Sequence, residues 1–310
     1  MKKTSLILGF ILSAVVLFFT GCTNGNDGVE TTSQVSNQEV NFAFFQVEVT
    51  PMSAQGAKMR GDSDTGAQSL SGTVFTKLDV VLYPVNENDK EKVISFNQNK
   101  ADNTAEFGNV SMKVPAGDYT MVAIASKDGN VQFNSLQEVE FLNKVTDMAY
   151  VCQKITVKQG SNNYNCSMQR AVAKLIFVNT GTRGNDVKNL TLHLSGNVSN
   201  KFNPTTGLAA GTNGITLTHT GINKLKATGE SYIFYAFLSN EEEQKSISLT
   251  LDASDADGNV LKTLSFSGVS MKVNYCTTYK GDIFGLTAAA NFTFGSGDFV
   301  DYGDAVTFDE

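Results

Sequence analysis

Apolar side chains in this chain recur at every second position and almost nowhere at helical spacing. Val110, Met112 and Val114 alternate with Ser111 and Lys113, and Val40, Phe42 and Phe44 alternate with Asn41 and Ala43. Period two places one row of side chains in a core and the other in solvent, which only a strand can do. Beyond Phe44 the alternation resumes at Val47 and Val49, so a strand over 40–49 is expected with a bulge around Phe45 and Gln46. Further strands are expected at 78–83, 119–125, 154–158, 172–178, 190–194, 231–238 and 247–253. Helical content is expected to be at most a turn or two, at 135–140 and 240–244. With 27 glycines, 4 prolines and repeated Asn-Gly and Asp-Gly pairs, the connections suit hairpins. Short strands separated by turn signals predict an all-β chain of sandwich type.

One pentapeptide occurs twice, Val110-Ser111-Met112-Lys113-Val114 and Val269-Ser270-Met271-Lys272-Val273, each late in its half of the chain. Together with the length, this predicts two consecutive sandwiches, an N-terminal one over 39–160 and a C-terminal one over 161–290, with a tail over 291–310.

The first residues describe an exported protein. Lys2 and Lys3 precede an apolar run from Leu6 to Phe19, then Thr20, Gly21 and Cys22. A basic start, a short apolar stretch and small residues before the cut make a secretory signal over 1–21. Its cysteine-terminated end resembles a bacterial lipobox, which makes Cys22 the expected lipidated (palmitate-type) first residue of the mature chain. Each buried methylene of an acyl chain adds about 0.8 kcal/mol, so two or three chains hold a protein at a membrane permanently. The polar stretch 22–38 is expected to be a tether. Removing Lys2 and Lys3 leaves 22 basic residues against 31 acidic, a formal charge of −9. No basic stripe is present, and nucleic acid is not expected as a partner.

Catalytic signatures fail one by one. His193 and His219 lie in strand-like segments with no nucleophile motif or metal-ligand spacing around them. Asp252, Asp255 and Asp257 lead to Gly258, but Ala253 and Leu264 stand where a calcium loop needs acids, so the segment is expected to be a hairpin turn. Neither enzyme activity nor a cofactor is expected. Arg60-Gly61-Asp62 sits in a small polar stretch, the setting in which proteases cut exposed chain. Cys152, Cys166 and Cys276 remain. Cys152 and Cys166 flank an expected turn at 160–163 and allow a disulfide, but the odd third thiol favours three buried cysteines.

Several segments in order resemble the fimbrillin and fimbrial-anchor (Mfa-like) lipoproteins of Bacteroides-type bacteria. They are the lipobox; Phe75-Thr76-Lys77-Leu78-Asp79-Val80-Val81-Leu82-Tyr83; Val114-Pro115-Ala116-Gly117-Asp118-Tyr119-Thr120; Arg170-Ala171-Val172-Ala173-Lys174-Leu175; and 273–284. The resemblance implies two transthyretin-like, Greek-key sandwiches and a fimbrial subunit or anchor that polymerises by strand exchange with other fimbrial subunits. It implies a removable first strand (Val40, Phe42, Phe44, Val47, Val49), a maturation cut at Arg60 and a donor strand in the tail (Phe292, Phe294, Val300, Tyr302, Val306, Phe308). The place would be the outer membrane surface or the fimbrium, with a role in cell adhesion and a host or bacterial surface as ligand. The rival expectation is a surface lipoprotein that binds glycans for an outer-membrane uptake system, although the chain carries no tryptophan for a sugar platform.

Overall fold

The computed structural model describes residues 36–46, 68–86, 92–220, 222, 230–242, 244–284, 293–297 and 306–307. Ten strands come first: β1 Asn37–Gln46, β2 Gln68–Ser69, β3 Lys77–Pro84, β4 Ile94–Asn99, β5 Asn109–Pro115, β6 Gly117–Ser126, β7 Val131–Ser135, β8 Glu138–Phe141, β9 Met148–Val157 and β10 Asn162–Arg170. A 3-10 turn, Leu70–Gly72, is the only helical element among the described residues.

β1 lies between β10 and β5, with β2 capping its end, and this layer faces a second layer ordered β9-β6-β3-β4. Val40, Phe42, Phe44, Val110, Val114, Cys166 and Met168 from the first layer meet Leu78, Val80, Leu82, Met121, Ala123 and Ile155 from the second in one apolar core. The alternation seen in the sequence is therefore what closes the sandwich. β9 and β10 leave one hairpin but join only at Gln169–Tyr150 and Arg170–Ala149. Between their turn and those two pairs they separate into opposite layers.

The second set comprises β11 Ala173–Asn179, β12 Asn189–Ser195, β13 Val198–Ser199, β14 Lys201–Asn203, β15 Leu208–Ala209, β16 Ile215–His219, β17 Ser231–Leu238, β18 Gln244–Ser254, β19 Val260–Met271, β20 Cys276–Gly281, β21 Thr293–Gly297 and β22 Val306–Thr307. A sheet ordered β13-β17-β11-β20-β21 faces one ordered β16-β12-β18-β19. β11 and β17 are buried on both faces, which is why they appear in the sequence as continuous apolar runs.

The two sandwiches share a core. Val122, Ile124 and Tyr150, on the outer face of the first sandwich, belong to the same cluster as Ile176, Phe237 and Leu249 of the second. A small sheet ordered β15-β14-β8-β7 joins them further, through the pairs Lys201–Glu140 and Phe202–Val139. The Lys201 ammonium reinforces it at 2.8 Å from Glu138. The described residues from Ser36 onward accordingly make one compact unit.

Several details differ from expectation. The first strand begins at Asn37, three residues earlier than expected from its apolar positions. Segment 135–140 is no helical turn but the end of β7, a tight turn and the start of β8; 240–242 form a bend, and Gln244 already begins β18. The border expected between 160 and 161 falls in the β9–β10 hairpin. β10 belongs to the first sandwich because its partner is β1, a pairing that no local pattern announces. The three described cysteines are free thiols. Cys152 is opposite Val122 and packs against the shared core, whereas Cys166 projects into the core of the first sandwich. The segment around Asp252, Asp255 and Asp257 is the expected turn. The Asp255 carboxylate accepts bonds from the backbone N–H of Asp257 and Asn259 at 3.0 and 2.8 Å.

Candidate strand-exchange groove

β1 is an inner strand that enters the chain first and finds its partners late. Its residues Val40 to Gln46 run parallel to Asn162 to Met168 of β10, and Asn37 to Ala43 run antiparallel to Pro115 to Asn109 of β5. Seven residue pairs on either side leave it no free edge over most of its length. At its far end Phe45 and Gln46 pair with Ser69 and Gln68. The Phe44 N–H donates to the Gly108 carbonyl at 2.9 Å. Gly108 has φ +99°, and a Cβ there would stand 2.9 Å from the Leu70 Cβ, so only glycine lets Leu70 close this end of the groove.

The inward row of β1 is Val40, Phe42 and Phe44, all at most 2% exposed, followed by the buried Gln46. Phe42 stacks on Tyr164 of β10 at 5.5 Å between ring centroids and on Phe44 at 5.9 Å. The Tyr164 hydroxyl donates to the Thr156 carbonyl at 2.7 Å. The outward row is Asn37, Glu39, Asn41, Ala43 and Phe45. On it the Asn41 Nδ2 donates to Asn163 Oδ1 at 3.1 Å, and at the start of the inward row Gln38 Oε1 accepts from the Gly160 N–H at 2.8 Å. Full burial of an apolar side chain stabilises by roughly 1.5–3 kcal/mol, so the inward row contributes roughly 5–9 kcal/mol. Whole domains are stable by about 5–15 kcal/mol. Emptying this groove would therefore cost an amount comparable to the whole stability of a domain.

Of the residues expected to take part, the structure brings Val40, Phe42 and Phe44 together in this groove. Val47, Val49, Arg60, Cys22, Phe292, Val300, Tyr302 and Phe308 lie outside the described residues. Phe294 stands in β21, whose backbone pairs antiparallel with β20 from Lys280 to Cys276, and Val306 stands in β22, parallel to Tyr232 and Ile233 of β17. The walls of the groove, β5 and β10, were not legible as such. Both alternate in the sequence, but a parallel contact across 122 residues leaves no local mark. Among the described residues no three of His, Cys, Asp or Glu cluster as a metal site. His193 lies exposed on β12, its Nδ1 3.1 Å from the Thr216 hydroxyl and its Nε2 3.6 Å from Asp252.

The model of DUF6562, a family of unknown function, matches residues 34–297, from just before β1 to the last residue of β21. The chain belongs to that family. No curated protein sequence matches this DUF6562 member. Among solved structures it is similar to an adhesin candidate from Bacteroides ovatus, at 13% identity and a TM-score of 0.46, covering 81% of this chain and 88% of that one. It is also similar to the fimbrial anchor protein Mfa2 from Porphyromonas gingivalis (9% identity, TM-score 0.44, 85% and 98% covered). A third is a fimbrial assembly protein from Parabacteroides distasonis (9%, 0.43, 83% and 95%).

Proposed function

We propose that this DUF6562 member is a fimbrial surface protein, brought to the outer membrane through Cys22, whose first strand leaves together with that anchor and is exchanged for a strand of a neighbouring subunit. The observation that carries this reading is the position of β1. It fills a two-walled groove with three buried side chains, and the chain after it reaches β2 only through 47–67, which contains Arg60. A cut after Arg60 would leave β1 held by contacts alone. The groove would then offer two rows of unpaired backbone groups and an apolar floor, the setting for β-strand addition. In the uncut chain β1 caps that groove and protects the protein from edge-to-edge aggregation. The donor comes from 291–308 of the next subunit. A copy that keeps β1 would serve as the anchor at the base of a fibre. In this reading the two sandwiches are the two domains, joined at Ala171 and Val172.

The test is limited trypsin digestion of the protein beginning at Thr23, alongside Arg60→Ala, with intact mass and native gels. One cut after Arg60 followed by ladders of multiples, absent in the variant, is the expected result. A cut chain that stays monomeric and retains β1 even with excess uncut protein present overturns exchange.

A further inference from the structure

Phenylalanines spaced two apart occur at two places in this chain, Phe42/Phe44 and Phe292/Phe294. In both the preceding residue is asparagine, Asn41 and Asn291, and the one before it is small and apolar, Val40 and Ala290. The first copy is the inward row of β1. We infer that 290–296 is a replica of β1 and enters the groove of a second copy of this chain in the register and direction of β1. Ala290, Phe292 and Phe294 then take the seats of Val40, Phe42 and Phe44, and Asn291 stands opposite Asn163. The inference rests on the exchange reading above and narrows it to one segment and one register.

The groove itself selects this alignment. Its inward seats hold Val, Phe, Phe and the buried Gln46 in turn. Segment 290–296 offers Ala, Phe, Phe and Ser at the same spacing. A slip of one residue would turn both phenylalanines to the outer face. A slip of two would bring Ala289 or Thr293 to the place where Asn41 bonds Asn163 at 3.1 Å. At the position of Phe45, where β1 meets Ser69, the replica has Gly295, which asks for no space. The rest of the tail fits worse. Any three alternate positions within 300–308 that include two of its large apolar residues also include Asp304, and a carboxylate in an apolar seat is strongly penalised.

The described part of this segment, 293–296, is engaged within its own chain. Thr293 and Phe294 are paired through the backbone with Lys280 and Tyr279 at the outer edge of the second sandwich. One strand cannot occupy both places, so exchange strips β21 from β20, and this pairing acts as a latch on the donor.

The test uses the Arg60-cleaved protein and three synthetic peptides, 37–47, 287–297 and 299–309, read by block of ladder formation and by fluorescence anisotropy. Binding by 37–47 and 287–297, with about a hundredfold loss for Phe294→Ser and about a tenfold gain for Ala290→Val, is expected. In the assembled protein Asn163→Cys should cross-link to Asn291→Cys of a neighbour and not to Thr293→Cys, since two residues along a strand shift the site by about 7 Å. Rebinding of 37–47 with binding by 299–309 in place of 287–297 overturns the replica and leaves exchange standing. Cross-linking through Thr293→Cys overturns the register. If neither 37–47 nor any tail peptide binds, the groove does not open and both readings fall.

Discussion

Arg170 grips Asp147 at two points, Nε to Oδ1 at 2.7 Å and Nη2 to Oδ2 at 3.0 Å, where the chain passes from the first sandwich to the second. Asp147 is almost fully buried, and the two residues that follow Arg170, Ala171 and Val172, are buried as well.

Breaking that pair leaves a buried carboxylate uncompensated. Arg170→Ala is expected to cost about 3–5 kcal/mol in chemical denaturation, and Arg170→Lys should recover only part because the fork of two bonds is lost. Equal stability of Arg170→Ala and the parent would show that water solvates Asp147.

Cys152 and Cys166 flank one hairpin but face different cores, so no disulfide forms between them. Burial pushes the Cys166 thiol up to about 12, with its sulfur accepting from Gln153 Nε2 at 3.3 Å. Native protein beginning at Thr23 should show three alkylatable thiols only after unfolding, with Cys166 unmodified at neutral pH in the folded state. Mass spectrometry that finds a 152–166 bridge would refute this.

Phe44 stands in the groove, next to the end that Leu70 closes, at 1% exposure. Phe44→Ala is expected to destabilise the uncut protein by about 3–5 kcal/mol. Phe45→Ala, on the outward row, should cost clearly less. Denaturant midpoints that fall equally for the two would contradict the assigned facing of β1.

Asp79 lies on the outer face of β3, between Asn97 of β4 and Ile124 of β6. Burial pushes its carboxyl up to about 6, with Lys77 opposing the shift. A raised acid favours the folded state while it holds its proton. Below about pH 4 folded and unfolded chains are both protonated; from about 4 to 6 the unfolded chain ionises first and stability is lost; above 6 the loss persists. Asp79→Asn should therefore be more stable than the parent by about 1–3 kcal/mol at pH 7.5, and the gap should close near pH 4. A gap independent of pH would assign the effect to packing.

Alternation at Val40, Phe42 and Phe44 and at Val110, Met112 and Val114, with short apolar runs such as 119–125, was enough to declare an all-β chain, because a side chain's facing in a strand follows from its position alone. The same rule marked the core row of β1, and the Asp257-Gly258 pair marked the turn after Asp255. What local pattern could not supply was partnership. That β1 lies between β5 and β10, that β10 belongs to the first sandwich, that Cys152 and Cys166 part company and that Arg170 meets Asp147 all depend on which strands share a sheet. Strand pairing is decided by backbone hydrogen bonds that are alike for every residue and by cores assembled from distant segments, so only the tertiary structure settles it.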